Sequence, residues 1–314
     1  MRSGVRGKRD WFFPESAGDD WVAVLRLGLG IHVVLYCFAL RHEWTYLFAG
    51  TGTGLLSRQL SDFLVSAQSP AIPRLGWIVD GAGLLGINEV TALSSAWLLL
   101  LIAGVSLTAG MFCRTSAIAA WFLHLCAAKS GGLLSYGLDN FMTIGLFYLM
   151  WAPLPDRYAL DARWRARSGK KPIGTVLVLR ALQLHLCLVY FFGGLAKSLG
   201  SGWWDGLNVW RALTRAPFDI IPAETIVRFA PLLPLAGISI WLIEITYPFL
   251  IWHRRTRMLS LSLICLLHLG IGLAMGMYPF AFIMIVLNVA AFGSLPLPGE
   301  QSEASPQTTP PAVA

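Results

Sequence analysis

Residues 174–206, GTVLVLRALQLHLCLVYFFGGLAKSLGSGWWDG, join a long apolar run to a lysine, a glycine-rich turn and two tryptophans. The apolar run ends at Ala196 and contains one charged side chain, that of Arg180. Because a helix of about 20 apolar residues crosses a hydrocarbon core of about 30 Å, this run is typical of a transmembrane helix. Lys197 then stands at the end of that helix, and its role depends on where the membrane lies.

The composition of the whole chain indicates an integral membrane protein. Of 314 residues, 56% are hydrophobic and only 13% are charged, and the mean hydropathy is +0.62. These values exclude a soluble domain. We predict an all-α, polytopic membrane helical bundle of about eight transmembrane helices, without strands. The predicted spans are residues 21–40, 91–112, 115–135, 139–153, 174–196, 229–252, 259–277 and 279–295.

The basic residues predict the orientation of the bundle. With the N-terminus placed in the cytoplasm, one side of the membrane collects 14 Lys and Arg residues and the other side six, in longer loops. Since cytoplasmic loops are enriched in Lys and Arg, both termini are predicted to be cytoplasmic in a multi-pass protein of the cell membrane. The net charge of +7 has the same origin, so nucleic acid is not expected as a partner.

Three regions follow from this topology. Residues 1–20 form a basic cytoplasmic N-terminus, residues 21–295 the transmembrane domain, and residues 296–314 a polar, proline-rich tail that is predicted to be disordered. Within the transmembrane domain, residues 41–89 form the main extracytoplasmic segment. Its aromatic residues alternate with polar ones, which is typical of short amphipathic helices at a membrane surface, and one interpretation is a lid or access route.

Polar residues within the spans fall into three layers when depth is counted along each helix. A charge at the bilayer centre costs about 3 kcal/mol, so these side chains are expected to face the bundle interior. The cytoplasmic layer contains Arg26, Arg180 and Glu244; the middle layer contains His32, His124, His185 and His268; the outer layer contains Lys129, Asp139, Asn140 and Lys197.

Each layer has a structural and a functional interpretation. In the cytoplasmic layer, Glu244 is predicted to neutralise Arg180 or Arg26, either as a structural ion pair between helices or as the floor of a polar cavity. Each histidine is either a hydrogen-bonded structural residue or a ligand contact. The sequence contains no histidine or carboxylate spacing typical of a metal site, so no metal is expected.

The outer layer carries an excess of positive charge, because Lys129 and Lys197 face only Asp139. An amine without a neutralising partner in an apolar site releases its proton more readily, which is one way in which proteins obtain a lysine base. The alternative is that Lys197 extends to the membrane surface. The first interpretation is favoured by Gly193 and Gly194, which leave room for a flat ligand, and by Trp203, whose ring supplies a wall for it.

Three stretches resemble one family when they are taken in order: DNFMTIGLFYLMWAPLPDRYALDA at 139–162, VYFFGGLAKSLGSGWWDG at 189–206 and HLGIGLAMGMYPF at 268–280. They are similar to the membrane region of the vitamin K-dependent gamma-carboxylase and to the wider bacterial HTTM family. The resemblance extends from the first to the last predicted span.

The resemblance implies a quinol-dependent enzyme whose active site opens away from the cytoplasm. Lys197 would be the base that deprotonates a vitamin K-like quinol, with Asp139 and Asn140 beside it. A membrane quinone or lipid, and a secreted peptide, are the partners that this implies. The residues expected to line the substrate cavity are Lys129, Tyr190, His268, His124 and Trp203.

The sequence also departs from the family pattern. Asn140 stands where the carboxylase has a functional histidine, and Ala196 precedes Lys197 where the carboxylase has two lysines. The large lumenal domain of the carboxylase has no counterpart in residues 1–314, so peptide carboxylation is not expected. Two classes of function stay open: a quinol-dependent membrane enzyme, or a non-catalytic scaffold, accessory or immunity-like protein that binds a lipid or a partner.

Overall fold

The computed structural model describes residues 20–50, 57–132, 134–164 and 173–293. Within these residues the secondary structure is entirely helical, which confirms the predicted all-α class. Of the predicted terminal regions 1–20 and 296–314, all residues except Asp20 lie outside the described residues. The helices are α1 (Asp20–Ala39), α2 (Trp44–Phe48), α3 (Arg58–Gln68), α4 (Leu75–Gly83), α5 (Glu89–Ala109), α6 (Cys113–Ser130), α7 (Gly137–Trp151), α8 (Ile173–Ser198), α9 (Leu207–Thr214), α10 (Ala223–Arg228), α11 (Leu233–Leu250), α12 (Arg257–Met275) and α13 (Tyr278–Phe292).

Every predicted span coincides with a helix, but the number of spans is not confirmed. By length and composition, five helices in the described part of the chain could cross a membrane: Asp20–Ala39, Glu89–Ala109, Val176–Ser198, Ala230–Leu250 and Arg257–Met275. Helices α7 and α13 have 15 residues each. At about 1.5 Å per residue they fall short of a hydrocarbon core of about 30 Å. The structure therefore supports a membrane bundle with several spans and leaves the predicted count of about eight open.

The segment predicted to lie outside the membrane, residues 41–89, contains the short helices α2, α3 and α4. Helices α3 and α5 begin with hydrogen-bonded caps, since Ser57 accepts the amide of Leu60 and Asn88 accepts the amide of Thr91. Arg58 Nε lies 2.6 Å from Glu89 Oε1, which ties the start of α3 to the start of α5. The segment is thus fastened to the bundle by ionic contacts at its end.

Helix α1 lies at the centre of the bundle and packs against α5, α7 and α13. Its residue Arg26 is 1% exposed and places Nε 2.5 Å from Asp156 Oδ2. The same guanidinium donates from Nη1 to the carbonyl oxygens of Leu107 and Thr108, at 2.6 and 3.1 Å. Arg26 therefore joins α1 to the end of α5 and to the loop that follows α7.

Helices α8 and α11 approach closely at two glycines. A Cβ atom at Gly194 would lie 2.9 Å from the backbone nitrogen of Ile245, so α11 occupies the space of that side chain. A Cβ at Gly237 would lie 2.2 Å from the carbonyl oxygen of Trp203, which places the turn after α8 against α11. The absence of side chains at both positions sets the distance between these elements.

Gly194→Ala is expected to lower the free energy of unfolding by about 1–3 kcal/mol, because the added methyl meets backbone atoms that cannot rotate away. Thermal unfolding of the purified protein in detergent measures the change. Gly270→Ala on α12 is the matched control, since nothing lies within 4 Å of its Cβ position. The control should be neutral or slightly stabilising, and an equal loss in both variants would contradict the packing argument.

Asp156→Asn is expected to lower the free energy of unfolding by about 3–5 kcal/mol, because it leaves the Arg26 guanidinium buried without a negative partner. The double variant Arg26→Met/Asp156→Asn removes both charges and should unfold at a higher temperature than the single variant. Unfolding midpoints in one detergent compare the three proteins. A double variant less stable than Asp156→Asn alone would show that the charge of Arg26 is not what matters.

Candidate functional site

Lys197 lies near the end of α8 and is paired with a carboxylate of α11. Its Nζ donates to Glu244 Oε2 at 2.5 Å, and the two side chains are 19% and 12% exposed. The ammonium group also lies 5.1 Å from the centre of the Trp203 ring, within the range of a cation–π contact. An ionised pair thus sits against an aromatic wall inside the bundle.

Glycine and side-chain direction explain why the pair forms. In an α-helix, side chains lean toward the N-terminus, so Lys197 extends back over the preceding turn of α8. That turn carries Gly193, where a Cβ would lie 3.2 Å from Glu244 Oε2 and 3.9 Å from Lys197 Nζ. Because Gly193 has no side chain, the carboxylate of Glu244 can occupy this space.

Two predictions about charge are therefore wrong. Lys197 is neutralised by Glu244 rather than left with excess positive charge. Glu244 pairs with neither of the two predicted arginines. Arg26 is bonded to Asp156. Arg180 donates from Nη1 to Gln183 Oε1 at 2.7 Å, and its guanidinium lies over the Trp252 ring. The predictions counted depth at Cα positions, whereas a lysine side chain reaches about one helical turn away from its own Cα.

A chain of hydrogen bonds lies beside the pair, within the buried core. Tyr247 donates to Asn288 Oδ1 at 2.6 Å, and Asn288 Nδ2 donates to the hydroxyl oxygen of Tyr190 at 2.7 Å. The Tyr190 hydroxyl lies 2.8 Å from His268 Nε2. The Tyr190 hydroxyl oxygen thus accepts from Asn288 and also contacts His268, and the tautomer of the His268 ring decides which of these two side chains donates to the other.

This chain and the ion pair form one group of residues. Glu244 lies close enough to Tyr190, and Lys197 close enough to His268, for their charges to act on these side chains. The set Lys197, Glu244, Trp203, Tyr190 and His268 is called the lysine cluster below. The structure thus brings together four of the residues predicted for the site, Lys197, Trp203, Tyr190 and His268, and adds Glu244 as a partner of the lysine.

A second polar group surrounds a cavity of about 270 Å³, called the histidine cavity below. Asp139 Oδ2 accepts the backbone amide of Tyr136 at 3.1 Å and so caps α7. Asp139 Oδ1 lies 3.8 Å from His124 Nε2, and His124 Nδ1 lies 3.1 Å from Thr143 Oγ1. The polar side chains that line the cavity are His32, Tyr36, Ser135, Tyr136 and Asp139.

The predicted single site is therefore divided. Asp139 lines the histidine cavity and has His124 beside it, whereas Lys129 is exposed and lines another cavity of about 530 Å³ beside α3. Asn140 is exposed and is not among the side chains that line the histidine cavity. Helix α13 lies between the two groups, since its Phe280 ring has its centre 5.7 Å from His268 and its Phe282 ring has its centre 5.6 Å from His32.

Some residues of these groups were not predicted for the site. His32 and Tyr36 stand four residues apart on α1 and share a helix face, which is the sequence signal that could have grouped them. Asn288 is a polar residue in an otherwise apolar stretch, and a buried amide needs partners. Glu244 was predicted to face the bundle interior, but as the partner of Arg180 or Arg26.

The comparisons with known proteins give a family. A family model described as the HTTM domain matches residues 82–292, which is about two thirds of the chain. The matched region contains Lys197, Glu244 and Asp139 and leaves α1 outside. No curated protein and no solved structure matches the chain. With its apolar helices and this match, the chain is a membrane protein that belongs to the HTTM family.

Proposed function

We propose that this protein is a membrane enzyme that removes a proton from a lipid-soluble aromatic hydroxyl compound, a quinol in the light of the family resemblance, at the Lys197–Glu244 pair. The observation that carries the proposal is the 2.5 Å contact between Nζ and Oε2 inside an apolar bundle. Ionisable residues within membrane helices are costly and mark functional sites more often than structural ones. A hydrophobic pair of similar volume would serve stability as well or better.

The pairing changes the way in which a lysine base can work. In the resting protein the amine is held as an ammonium ion by Glu244. A substrate that covers the pair and excludes water favours transfer of one proton from Lys197 to Glu244, which gives a neutral amine and a neutral carboxylic acid in place of two charges. The amine can then accept the proton of a substrate hydroxyl. The resulting ammonium ion stabilises the substrate oxyanion, and Glu244 retains the first proton.

The neighbours of the pair supply binding and orientation in this proposal. Trp203 offers a flat face beside Nζ, on which an aromatic ring can stack. The hydrogen bond between Tyr190 and His268 holds the His268 ring in one orientation near the amine. In the predicted topology this end of α8 faces away from the cytoplasm, so a membrane-dissolved substrate enters from the outer leaflet.

Lys197→Met and Glu244→Gln are each expected to lower the rate of quinol oxidation by about 10²–10⁴-fold, since a positioned acid–base group contributes this much. The assay follows oxidation of duroquinol to duroquinone by the protein in nanodiscs; removal of the hydroxyl proton precedes this oxidation, and O2 takes up the two electrons and two protons as H2O2. Lys129→Met is the matched control, because Lys129 also lies at a helix end but lines a different cavity. This control should keep the wild-type rate.

The double variant Lys197→Met/Glu244→Leu separates catalysis from stability. It removes both charges, so its unfolding temperature should be close to that of the wild type while its rate stays as low as that of the single variants. Wild-type turnover by this double variant would contradict the proposal.

A second candidate is a non-catalytic membrane protein that binds a lipid or a partner. The full neutralisation of Lys197 by Glu244 favours it, because such a pair can hold α8 and α11 together without any chemistry. Two observations would support this second function: the wild-type protein does not oxidise duroquinol, and the double variant keeps its fold.

A further inference from the structure

The cavity of about 530 Å³ between α3 and the end of α6 is called the α3 cavity below. Ligand pockets usually have volumes of about 300–1,000 Å³, so this cavity is large enough for a small molecule or a lipid headgroup. Helix α3 contributes the apolar side chains of Leu64, Val65 and Ala67 to its wall. The polar side chains of the lining are Ser61, Gln68, Lys129, Ser130 and Ser135. The cavity therefore combines an apolar wall with several hydrogen-bonding groups and one cation.

Lys129 is the one charged residue among the described residues that line the α3 cavity. The acidic residues Asp62 of α3 and Asp80 of α4 are in ion pairs with Arg58 instead. Asp139, the predicted neighbour of Lys129, lines the histidine cavity and caps α7. Because no ion pair of the described residues neutralises Lys129, the charge in this cavity favours an anion.

Hydrogen bonds fix the walls of the cavity. Ser61 Oγ donates to the carbonyl oxygen of Ser130 at 2.5 Å, which fastens α3 to the end of α6. Ser130 Oγ accepts the backbone amide of Leu75 at 2.9 Å, which fastens α4 to the same place. Because Ser130 Oγ accepts in this bond, its hydroxyl proton is left to donate, beside the three N–H groups of Lys129. Adjacent ammonium and hydroxyl donors suit a phosphate oxygen.

The apolar wall continues onto the surface of α3. Leu60, Leu64 and Ala67 stand at positions i, i+4 and i+7 and so share one helix face. The side chains of Leu60, Phe63 and Leu64 are 46%, 67% and 41% exposed. In the predicted topology the end of α6 lies at the outer membrane surface, where an exposed apolar helix face contacts lipid. An amphiphile with its headgroup in the cavity can therefore lay its acyl chains along α3.

We propose that the α3 cavity binds the headgroup of an acidic phospholipid, with the phosphodiester on Lys129 and the acyl chains along the apolar face of α3. One ammonium group balances one phosphodiester, and Ser61 and Gln68 can bond headgroup hydroxyls. A zwitterionic lipid carries its own cation and gains less from Lys129. A phosphodiester has no proton for the Lys197–Glu244 pair to remove, so the proposal is independent of the proposed catalytic function.

The test compares dioleoyl-phosphatidylglycerol, which is acidic, with dioleoyl-phosphatidylcholine, which is zwitterionic. Native mass spectrometry of the delipidated protein in detergent measures the dissociation constant of the first bound lipid. We expect phosphatidylglycerol to bind at least about fivefold more tightly, the gain expected of one lysine at an anionic lipid. Equal dissociation constants for the two lipids would overturn the proposal.

Three variants locate the site. Lys129→Gln should lose the preference for phosphatidylglycerol. Arg228→Gln is the matched control, because it removes one exposed cation from the same predicted side of the membrane and does not line the cavity. It should keep the preference, and an equal loss in both variants would show attraction to the basic surface rather than a site. Ala67→Trp fills the cavity with Lys129 intact and should also lose the preference; a preference kept in this variant would contradict binding in the cavity.

A soluble phosphate compound is the other source of the same chemistry. Glycerol 3-phosphate carries a phosphate and two hydroxyls without acyl chains, so it tests whether the lipid is needed. At a hundredfold excess over phosphatidylglycerol it should leave the bound lipid in place. Displacement of the lipid from wild-type protein at this excess would assign the cavity to a soluble phosphate compound and overturn the lipid as its occupant.

Discussion

Charged groups inside an apolar bundle must find their partners on other elements, and this constraint decides how the helices are arranged. Arg26 of α1 reaches Asp156, which follows α7, and Lys197 of α8 reaches Glu244 of α11. Gln183 Nε2 donates to the carbonyl oxygen of Ala291 at 2.5 Å and so joins α8 to α13. Apolar surfaces can slide past one another, but each of these contacts exists in one register only. The polar contacts therefore specify which helices are neighbours.

Helix positions could be predicted from the sequence because they depend on local composition. The run 174–196 corresponds to Ile173–Ser198, and the run 229–252 to Leu233–Leu250, preceded by the 3₁₀ turn Ala230–Leu232. The family could also be predicted, because the motifs around Lys197 and Asp139 keep their order and spacing along the chain. The match over residues 82–292 confirms it.

The ion pairs and hydrogen bonds of the site could not be predicted in the same way, because they depend on the positions of the side-chain ends in the folded protein. Lys197 and Glu244 were placed in different layers by their Cα positions, yet their side chains meet over Gly193. Asp156 lies in a loop, so depth counting gave it no layer, although it is buried beside Arg26. The lack of a hydrogen-bond partner for His32 Nδ1 among the described residues is a property of the packed structure alone.

Helix α13 forms a wall shared by the two groups. Phe282 stacks on His32 at the histidine cavity, and Phe280 lies edge-on to His268 of the lysine cluster. No hydrogen bond or ion pair of the described residues crosses between the groups, so they are chemically separate. Substitutions on α13 would disturb both groups together. Substitutions on α1 or α8 affect one group each, so they can show which group is responsible for a measured effect.

The ion pairs Arg26–Asp156 and Lys197–Glu244 differ in a way that bears on function. The pair of Arg26 and Asp156 is saturated, since the guanidinium also donates to the carbonyl oxygens of Leu107 and Thr108 and Asp156 Oδ1 accepts the amide of Tyr158. Lys197 has three N–H groups, and among the described residues Glu244 is the one acceptor that bonds it. A contact that only holds helices together gains from saturation, as at Arg26. In the proposed function, the spare donors of this partly exposed ammonium ion, which faces an aromatic ring, bind the oxygen atom of a substrate.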